Sequence, residues 1–308
     1  MIHLLLIDPL EKLNTKKDSS LMLGLSLKQK GEKVFFLFEK DFYVQNSKQA
    51  SFKVWDFEGS FKEKSFYLES FKLTLSQELL IDSKVMIHMR LDPPFDSHYL
   101  RVLWMLDHYQ AQGVSVVNQP RGIMQFNEKL YAYRLKEAPK SFVGENKEAA
   151  RLFIQDLKTD ELILKPLDLF GGLGVEKVSV NDWETAFERK VKELKGPVIL
   201  QPYLKEVEAG EFRAIYFKGQ NLGTILKTPQ KGAFLSNIAQ GASYKKAQLS
   251  PKAQLRCEEV AKELKDFGVD WIAFDVLGEM ISEVNITCPG LLVEVSEAMG
   301  ENLALKMF

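Results

Sequence analysis

The chain has 308 residues, 45% hydrophobic and 27% charged, with a formal net charge of −1. This describes a globular chain of two or three packed lobes, and the near-zero charge excludes a general electrostatic pull toward nucleic acid or an anionic membrane. Two cysteines, Cys257 and Cys288, are too few for a disulfide framework or a thiolate metal site, and the four histidines lack zinc-ligand spacing.

Taken in chain order, M-I-H-L-L-L-I-D-P reads as a first strand over residues 4–7 rather than a signal peptide, since it lacks a basic leader and a cleavage site. No apolar run reaches membrane-spanning length, so the expected compartment is the cytoplasm. A helix over 20–30 closed by Gly31, a strand over 34–37, a strand over 85–89, a helix over 99–112 and a strand over 114–117 follow. This alternation predicts a parallel α/β lobe, whose ligands sit off the carboxyl ends of the strands. Two loops leave those ends, D-P-L-E-K-L-N-T-K-K-D-S-S (8–20) and R-L-D-P-P-F-D (90–96). Lys16, Lys17 and Arg90 suit an anionic substrate, with Ser19 and Ser20 as hydrogen-bond donors. Alternatively, Asp18 or Ser19 simply caps the next helix.

A second section starts near Asn118. A helix over 122–133 carries Asn127-Glu128-Lys129, and a strand near 141–143, a helix over 147–158 and a strand over 162–165 come next. That last strand runs into L-K-P-L-D-L-F-G-G-L-G-V, where glycines let backbone N–H groups approach a phosphate and Lys165 supplies charge. A plain hairpin turn is the competing reading, and the pattern is not a P-loop. The strand over 198–202 ends in a hinge, Gln201-Pro202-Tyr203-Leu204, and the strand over 211–217 carries Arg213. Residues 227–246 show no period and read as a long functional or disordered loop. Ser250-Pro251 opens a helix that ends at Gly268, with Leu255, Ala261, Leu264 and Phe267 as its buried face. Strands over 273–277 and 281–286 then form a hairpin through Gly278-Glu279. It sets Asp275 opposite the Glu283 region and puts Glu283 and Asn285 on one face. Two carboxylates and an amide oxygen suit Mg²⁺, although solvent-facing acids on an ordinary hairpin have the same pattern.

In this order and spacing, D-P-L-E-K-L-N-T-K-K-D-S-S, M-R-L-D-P-P-F-D, N-E-K-L, I-L-K-P-L-D-L-F-G-G-L-G and L-G-E-M-I-S-E-V-N-I-T-C-P resemble the bacterial glutathione synthetase family of the ATP-grasp superfamily. The likeness spans nearly the whole chain. It implies a three-lobe α/β ATP-grasp fold with an N-terminal parallel α/β (pre-ATP-grasp) domain over 1–118, a lid subdomain with the glycine loop over 119–200, and a metal-bearing C-terminal subdomain over 201–308. The implied activity is an ATP-dependent carboxylate–amine ligase that joins γ-glutamylcysteine to glycine through an acyl phosphate, with Mg²⁺ or Mn²⁺. The family also implies a homo-oligomer acting on small peptide or amino-acid substrates, without nucleic acid or membrane as partner. Matching positions imply ATP contacts at Lys129, Lys165, Gly171, Gly172, Gln201, Tyr203 and Leu204, and metal ligands at Asp275, Glu283 and Asn285. Arg213 and Lys227 take the catalytic cation positions, and Lys17, Asp18, Ser19, Arg90, Asn237 and Gly241 the substrate-binding ones.

The likeness breaks at particular residues. The family's R-x-P-x-G-G-E-x-R-G-N followed by A-G-G-R is here K-T-P-Q-K-G-A-F-L-S-N followed by Q-G-A-S. Lys227, Leu235 and Ser243 stand at arginine positions and Ala233 at an acid. Val293 stands at a further arginine position and Leu91 at a lysine. Leucine, serine and valine cannot fork onto a carboxylate, and losing two charged hydrogen bonds of about 1.5–3 kcal/mol costs roughly a hundredfold or more in affinity. A ligase of the same chemistry with a less anionic substrate is therefore an alternative, and a nucleotide-binding protein without ligase activity a third. Cys288, beside the metal block, reads as a packing residue.

Overall fold

The computed structural model describes all 308 residues, Met1–Phe308. The first lobe contains β1 (Ile2–Ile7), α1 (Ser19–Gln29), β2 (Lys33–Phe38), β3 (Ser51–Phe61), β4 (Leu68–Leu80), β5 (Val85–Arg90), α2 (Ser97–Ala111) and β6 (Ser115–Val117). Its sheet has the order β4-β3-β2-β1-β5-β6. β2, β1, β5 and β6 are parallel, as the strand–helix alternation implies. The expectation of a purely parallel lobe is corrected by β3, which joins β2 antiparallel, and by β4, which folds back on β3. The connection from β2 to β3 holds no crossover helix, so that chain can only return antiparallel.

The expected helix over 122–133 is two helices, α3 (Pro120–Gln125) and α4 (Glu128–Tyr133). Asn127 separates them because its side-chain oxygen accepts from the N–H groups of Lys129 and Leu130 at 3.1 and 3.0 Å, a helix N-cap. The second lobe follows with β7 (Phe142–Gly144), α5 (Lys147–Gln155), β8 (Glu161–Pro166), β9 (Glu176–Ser179), α6 (Trp183–Leu194) and β10 (Val198–Pro202). Its strands form an antiparallel sheet in the order β7-β10-β8-β9.

After the short α7 (Glu206–Ala209), the third lobe contains β11 (Glu211–Phe217), β12 (Gln220–Thr228), β13 (Ser243–Lys246), α8 (Pro251–Asp266), β14 (Trp271–Leu277), β15 (Met280–Asn285) and α9 (Leu292–Met299). Its antiparallel sheet runs β13-β12-β11-β14-β15. The long loop expected over 227–246 is thus shorter: it starts after β12, makes one 3-10 turn over Ile238–Gln240, and returns as β13. Ser250 caps α8 as expected, accepting from the Ala253 N–H at 3.2 Å. The buried face of α8 is Ala253, Cys257, Val260, Ala261 and Leu264, whereas Leu255 and Phe267 are exposed, a second correction.

One core joins the first and third lobes: Leu21, Leu25 and Phe36 pack in the same cluster as Val293, Leu303 and Met307. The second lobe has a smaller core of its own around Leu162, Trp183 and Phe187. A cleft of about 400 Å³ opens between the second and third lobes.

Candidate active site

Strand register decides which charged side chains meet in this cleft. Arg213 on β11 pairs with Asp275 on β14, Asp275 pairs with Glu283 on β15, and Glu211 pairs with Lys227 on β12. Residues directly opposite across antiparallel strands share a face, so all five point the same way. Arg213 grips Asp275 with Nε–Oδ1 at 3.0 Å and Nη2–Oδ2 at 2.7 Å. Lys227 Nζ lies 2.7 Å from Asp275 Oδ1 and 2.8 Å from Glu211 Oε2. Ser282 Oγ donates toward Glu211 Oε1 at 3.2 Å and the Asp275 carbonyl at 3.1 Å.

Burial alone would raise the Asp275 carboxyl, but Arg213 and Lys227 outweigh it and hold Asp275 at about 2. Glu211, which shares Lys227 but has no hydrogen bond from Arg213, is pushed up by burial, and the neighbouring Asp275 carboxylate adds to the rise. Burial works against the charges of Lys227 and Arg213 as well, yet Asp275 and Glu211 raise both.

From the other side, α4 carries Lys129, whose Nζ lies 3.0 Å from Glu283 Oε1 and 2.7 Å from the Leu169 carbonyl. Its neighbour Glu128 anchors α4 to the end of β15 by accepting from Ile286 N–H, Thr287 N–H and Thr287 Oγ at 2.6–2.8 Å. Lys165, at the end of β8, lines the cleft without an ion-pair partner. Burial lowers its ammonium, and Glu283, Glu211 and Asp275 only partly restore it. Gly171 and Gly172 have φ of +62° and +76°, backbone that glycine adopts freely. A Cβ at Gly172 would stand 3.2 Å from Leu235 Cδ1, and Asn237 donates its amide N–H to the Gly171 carbonyl. The glycine loop and the 229–242 loop therefore meet over the cleft. Gln201, Tyr203 and Leu204 line its far end; Gln201 is fixed by Ser141 Oγ at 2.7 Å and the Tyr203 ring lies under Lys177 at 4.0 Å.

The donor chemistry fits a hard divalent cation. Asn285 commits its amide nitrogen to the Ala273 carbonyl and to Asp275 Oδ2, both at 3.0 Å, which leaves its carbonyl oxygen for an outside ligand. With Asp275 and Glu283 the set is oxygen-only, as Mg²⁺ prefers, but each Asp275 oxygen already accepts two hydrogen bonds from Arg213, Lys227 and Asn285, so a cation held there would take the place of one of them.

Five expected site residues do not line the cleft. Asp18 caps α1, accepting from Ser20 and Leu21 N–H at 2.8 Å each. Ser19 Oγ accepts from the Leu292 N–H at 3.1 Å, and Lys17 Nζ is 3.7 Å from the buried Glu294. Arg90 is buried against the Trp271 ring at 4.1 Å and donates to Ser20 Oγ and the Pro289 carbonyl. Gly241, at φ +94°, instead leaves room for Gln230. Of the departures, Val293 and Leu91 are core residues and only Leu235, beside Phe234, faces the cleft with Lys227. Glu211, Ser282 and Glu128 were not anticipated. The alternation in E-F-R places Glu211 on the face of Arg213, a signal that was available.

The family described as "Prokaryotic glutathione synthetase, ATP-grasp domain" matches residues 128–300, and its N-terminal domain matches residues 1–124. The chain belongs to the prokaryotic glutathione synthetase family. A glutathione synthetase from Pseudomonas syringae pv. tomato is 29% identical over 303 residues, covering 97% of this chain and 93% of the relative. One from Coxiella burnetii is 28% identical over 291 residues, covering 92% and 88%. Among solved structures, the D-cycloserine synthetase DcsG has a TM-score of 0.67 at 15% identity, covering 98% of this chain and 97% of that one. The ATP-grasp ligase PsnB, complexed with a phosphomimetic variant of its minimal precursor, Mg and ADP, has 0.63 at 15%, covering 98% and 95%. The fold is the three-lobe ATP-grasp fold, and the family membership makes this chain an ATP-dependent, amide-bond-forming ligase.

Proposed function

We propose that the cleft activates the carboxylate of a small peptide as an acyl phosphate and couples it to an amine, with γ-glutamylcysteine as donor. The supporting observation is the register-locked group Arg213–Asp275–Lys227 facing Lys129, Lys165 and a glycine loop across one cleft. Lys129 and Lys165 grip the triphosphate from either side, while Gln201, Tyr203 and Leu204 receive the base. Asp275, Glu283 and the Asn285 carbonyl oxygen would hold Mg²⁺ (or Mn²⁺), which supplies charge that draws off the negative charge on the transferring phosphoryl group.

The donor carboxylate attacks the γ-phosphorus and ADP leaves, with Arg213 and Lys227 stabilising charge on the moving group. The amine then attacks the acyl carbon, and the tetrahedral species expels phosphate to leave the amide. Gly171 and Gly172 let the loop close and exclude water that would hydrolyse the acyl phosphate. Asn237 steadies that closure through Gly171. In domain terms, residues 1–118, 119–200 and 201–308 act as substrate, lid and metal-bearing parts. By family we also read the chain as a cytoplasmic homo-oligomer; no helix is long and apolar enough to cross a membrane.

The test is ADP and phosphate release from Mg-ATP over a panel of dipeptides and amines. Release that depends on γ-glutamylcysteine supports the reading. Tight ATP binding with no turnover for any pair overturns it.

A further inference from the structure

We propose that the amine substrate meets residues 234–238 through an uncharged, apolar group rather than a carboxylate; the inference rests on the ligase reading above. The cations that line the cleft are Lys129, Lys165, Arg213 and Lys227. Under that reading all four are committed: Arg213 and Lys227, which rest on Asp275 and Glu211, to the donor carboxylate and the moving phosphoryl group, and Lys165 together with Lys129, which rests on Glu283, to the triphosphate. No cation remains for a carboxylate on the amine.

The wall that covers the acyl group has the opposite character. The donor carboxylate must sit at Arg213 and Lys227, where the phosphoryl group arrives. The amine comes in under the two loops that Asn237 and Gly171 tie together. From one loop Phe234, Leu235 and Ile238 line the cleft, and from the other Phe170 and Leu173, which are 38% and 54% exposed. The only lysine of the 229–242 loop, Lys231, is exposed and does not line the cleft. A carboxylate pressed on this surface would lose water and gain no counter-charge, whereas an apolar substituent gains burial.

One polar group interrupts the wall. Ser236 is 6% exposed, lines the cleft, and its Oγ has no hydrogen-bond partner. A buried hydroxyl left without a partner is unfavourable, and a neutral amide or carbonyl on the substrate would satisfy it. The wall with its single hydroxyl therefore selects an amine that is apolar with one neutral polar atom.

The experiment holds Mg-ATP and γ-glutamylcysteine saturating and varies the amine among glycine, glycinamide, ethylamine and n-propylamine. ADP release gives the rate and product mass confirms the amide. The expected result is kcat/KM for glycinamide and the alkylamines about tenfold or more above glycine. Leu235→Arg should reverse that order. Leu235→Gln, a gentler change, should narrow it, and Ser236→Ala should lower kcat/KM for glycinamide more than for the others. Glycine equal or ahead in the unsubstituted protein, or an order unmoved by both Leu235 variants, overturns the proposal. ADP release with none of the amines overturns the ligase reading itself, and this inference with it.

Discussion

Two regions of the molecule place charged side chains at the ends of strands, residues 8–20 after β1 and residues 211–285 across four strands of the third lobe. The first spends Lys17, Asp18 and Ser19 on the fold itself. Asp18 goes to the α1 backbone, Ser19 to Leu292, and Lys17 to Glu294. The second turns its charges into the cleft, where Arg213, Asp275, Glu211 and Lys227 face one another. A chain entering a helix meets the free N–H groups of its first turn, and a nearby Asp or Ser satisfies them. Strand side chains have no such backbone donors in reach, since the ladder has used them, so they are free to meet each other and a ligand.

The sharpest break of that contrast is Asp275→Asn. It leaves Arg213 and Lys227 buried with one negative charge removed, at a cost of about 3–5 kcal/mol, and ADP release is lost. Urea unfolding measures the first and a coupled assay the second. Because Asp275 titrates at about 2, below its ordinary 3.8, its contribution is present above 3.8 and disappears as pH falls from there to about 2. The Asn variant lacks that acid limb.

Glu283→Gln separates chemistry from stability within the same strands. Glu283 is partly exposed and its only ion-pair partner is Lys129. Turnover should fall by at least about a hundredfold, while the unfolding free energy falls by less than the about 3–5 kcal/mol of Asp275→Asn, since the glutamine oxygen can still accept from the buried Lys129. Undiminished turnover would remove the metal assignment.

Lys165→Met predicts effects of opposite sign. ATP binding weakens about 10–100-fold by titration calorimetry, as one charged hydrogen bond is lost. The ligand-free protein becomes more stable, since burial disfavours that ammonium. With its folded pKa lowered below 10.5, the wild-type deficit is full at neutral pH and closes as pH rises through the folded value toward 10.5. An ATP affinity unaffected by the substitution would contradict the phosphate role.

The smallest effect belongs to the first region. Asp18→Ala should cost about 1 kcal/mol of stability through the lost cap and leave ADP-release kinetics unchanged. A raised KM for the donor would put the 8–20 loop back in the site.

These contrasts explain what could be read from the chain. The hairpin with Asp275 opposite Glu283 was legible because period-two alternation and a Gly278 turn fix direction and register together. Lys129 was legible as a residue, but Asn127's cap, which aims it, was hidden inside a helical pattern. β3 and β4 were missed although S-F-K-V-W-D-F alternates, because their mostly exposed outer residues blur the apolar signal. β12 was missed at Gly223, whose missing side chain makes room for Val295 and Met299 of α9, a contact between distant segments that no local pattern carries. Val293 could not be told from a substrate contact without knowing that α9 packs against α1's core.

The central claim is that this cleft makes an acyl phosphate, and oxygen isotope transfer tests it most directly. The protein is given Mg-ATP, an amine, and γ-glutamylcysteine labelled with ¹⁸O in the reacting carboxylate. The account predicts that each amide formed releases phosphate carrying one ¹⁸O. Amide formation with unlabelled phosphate would contradict it.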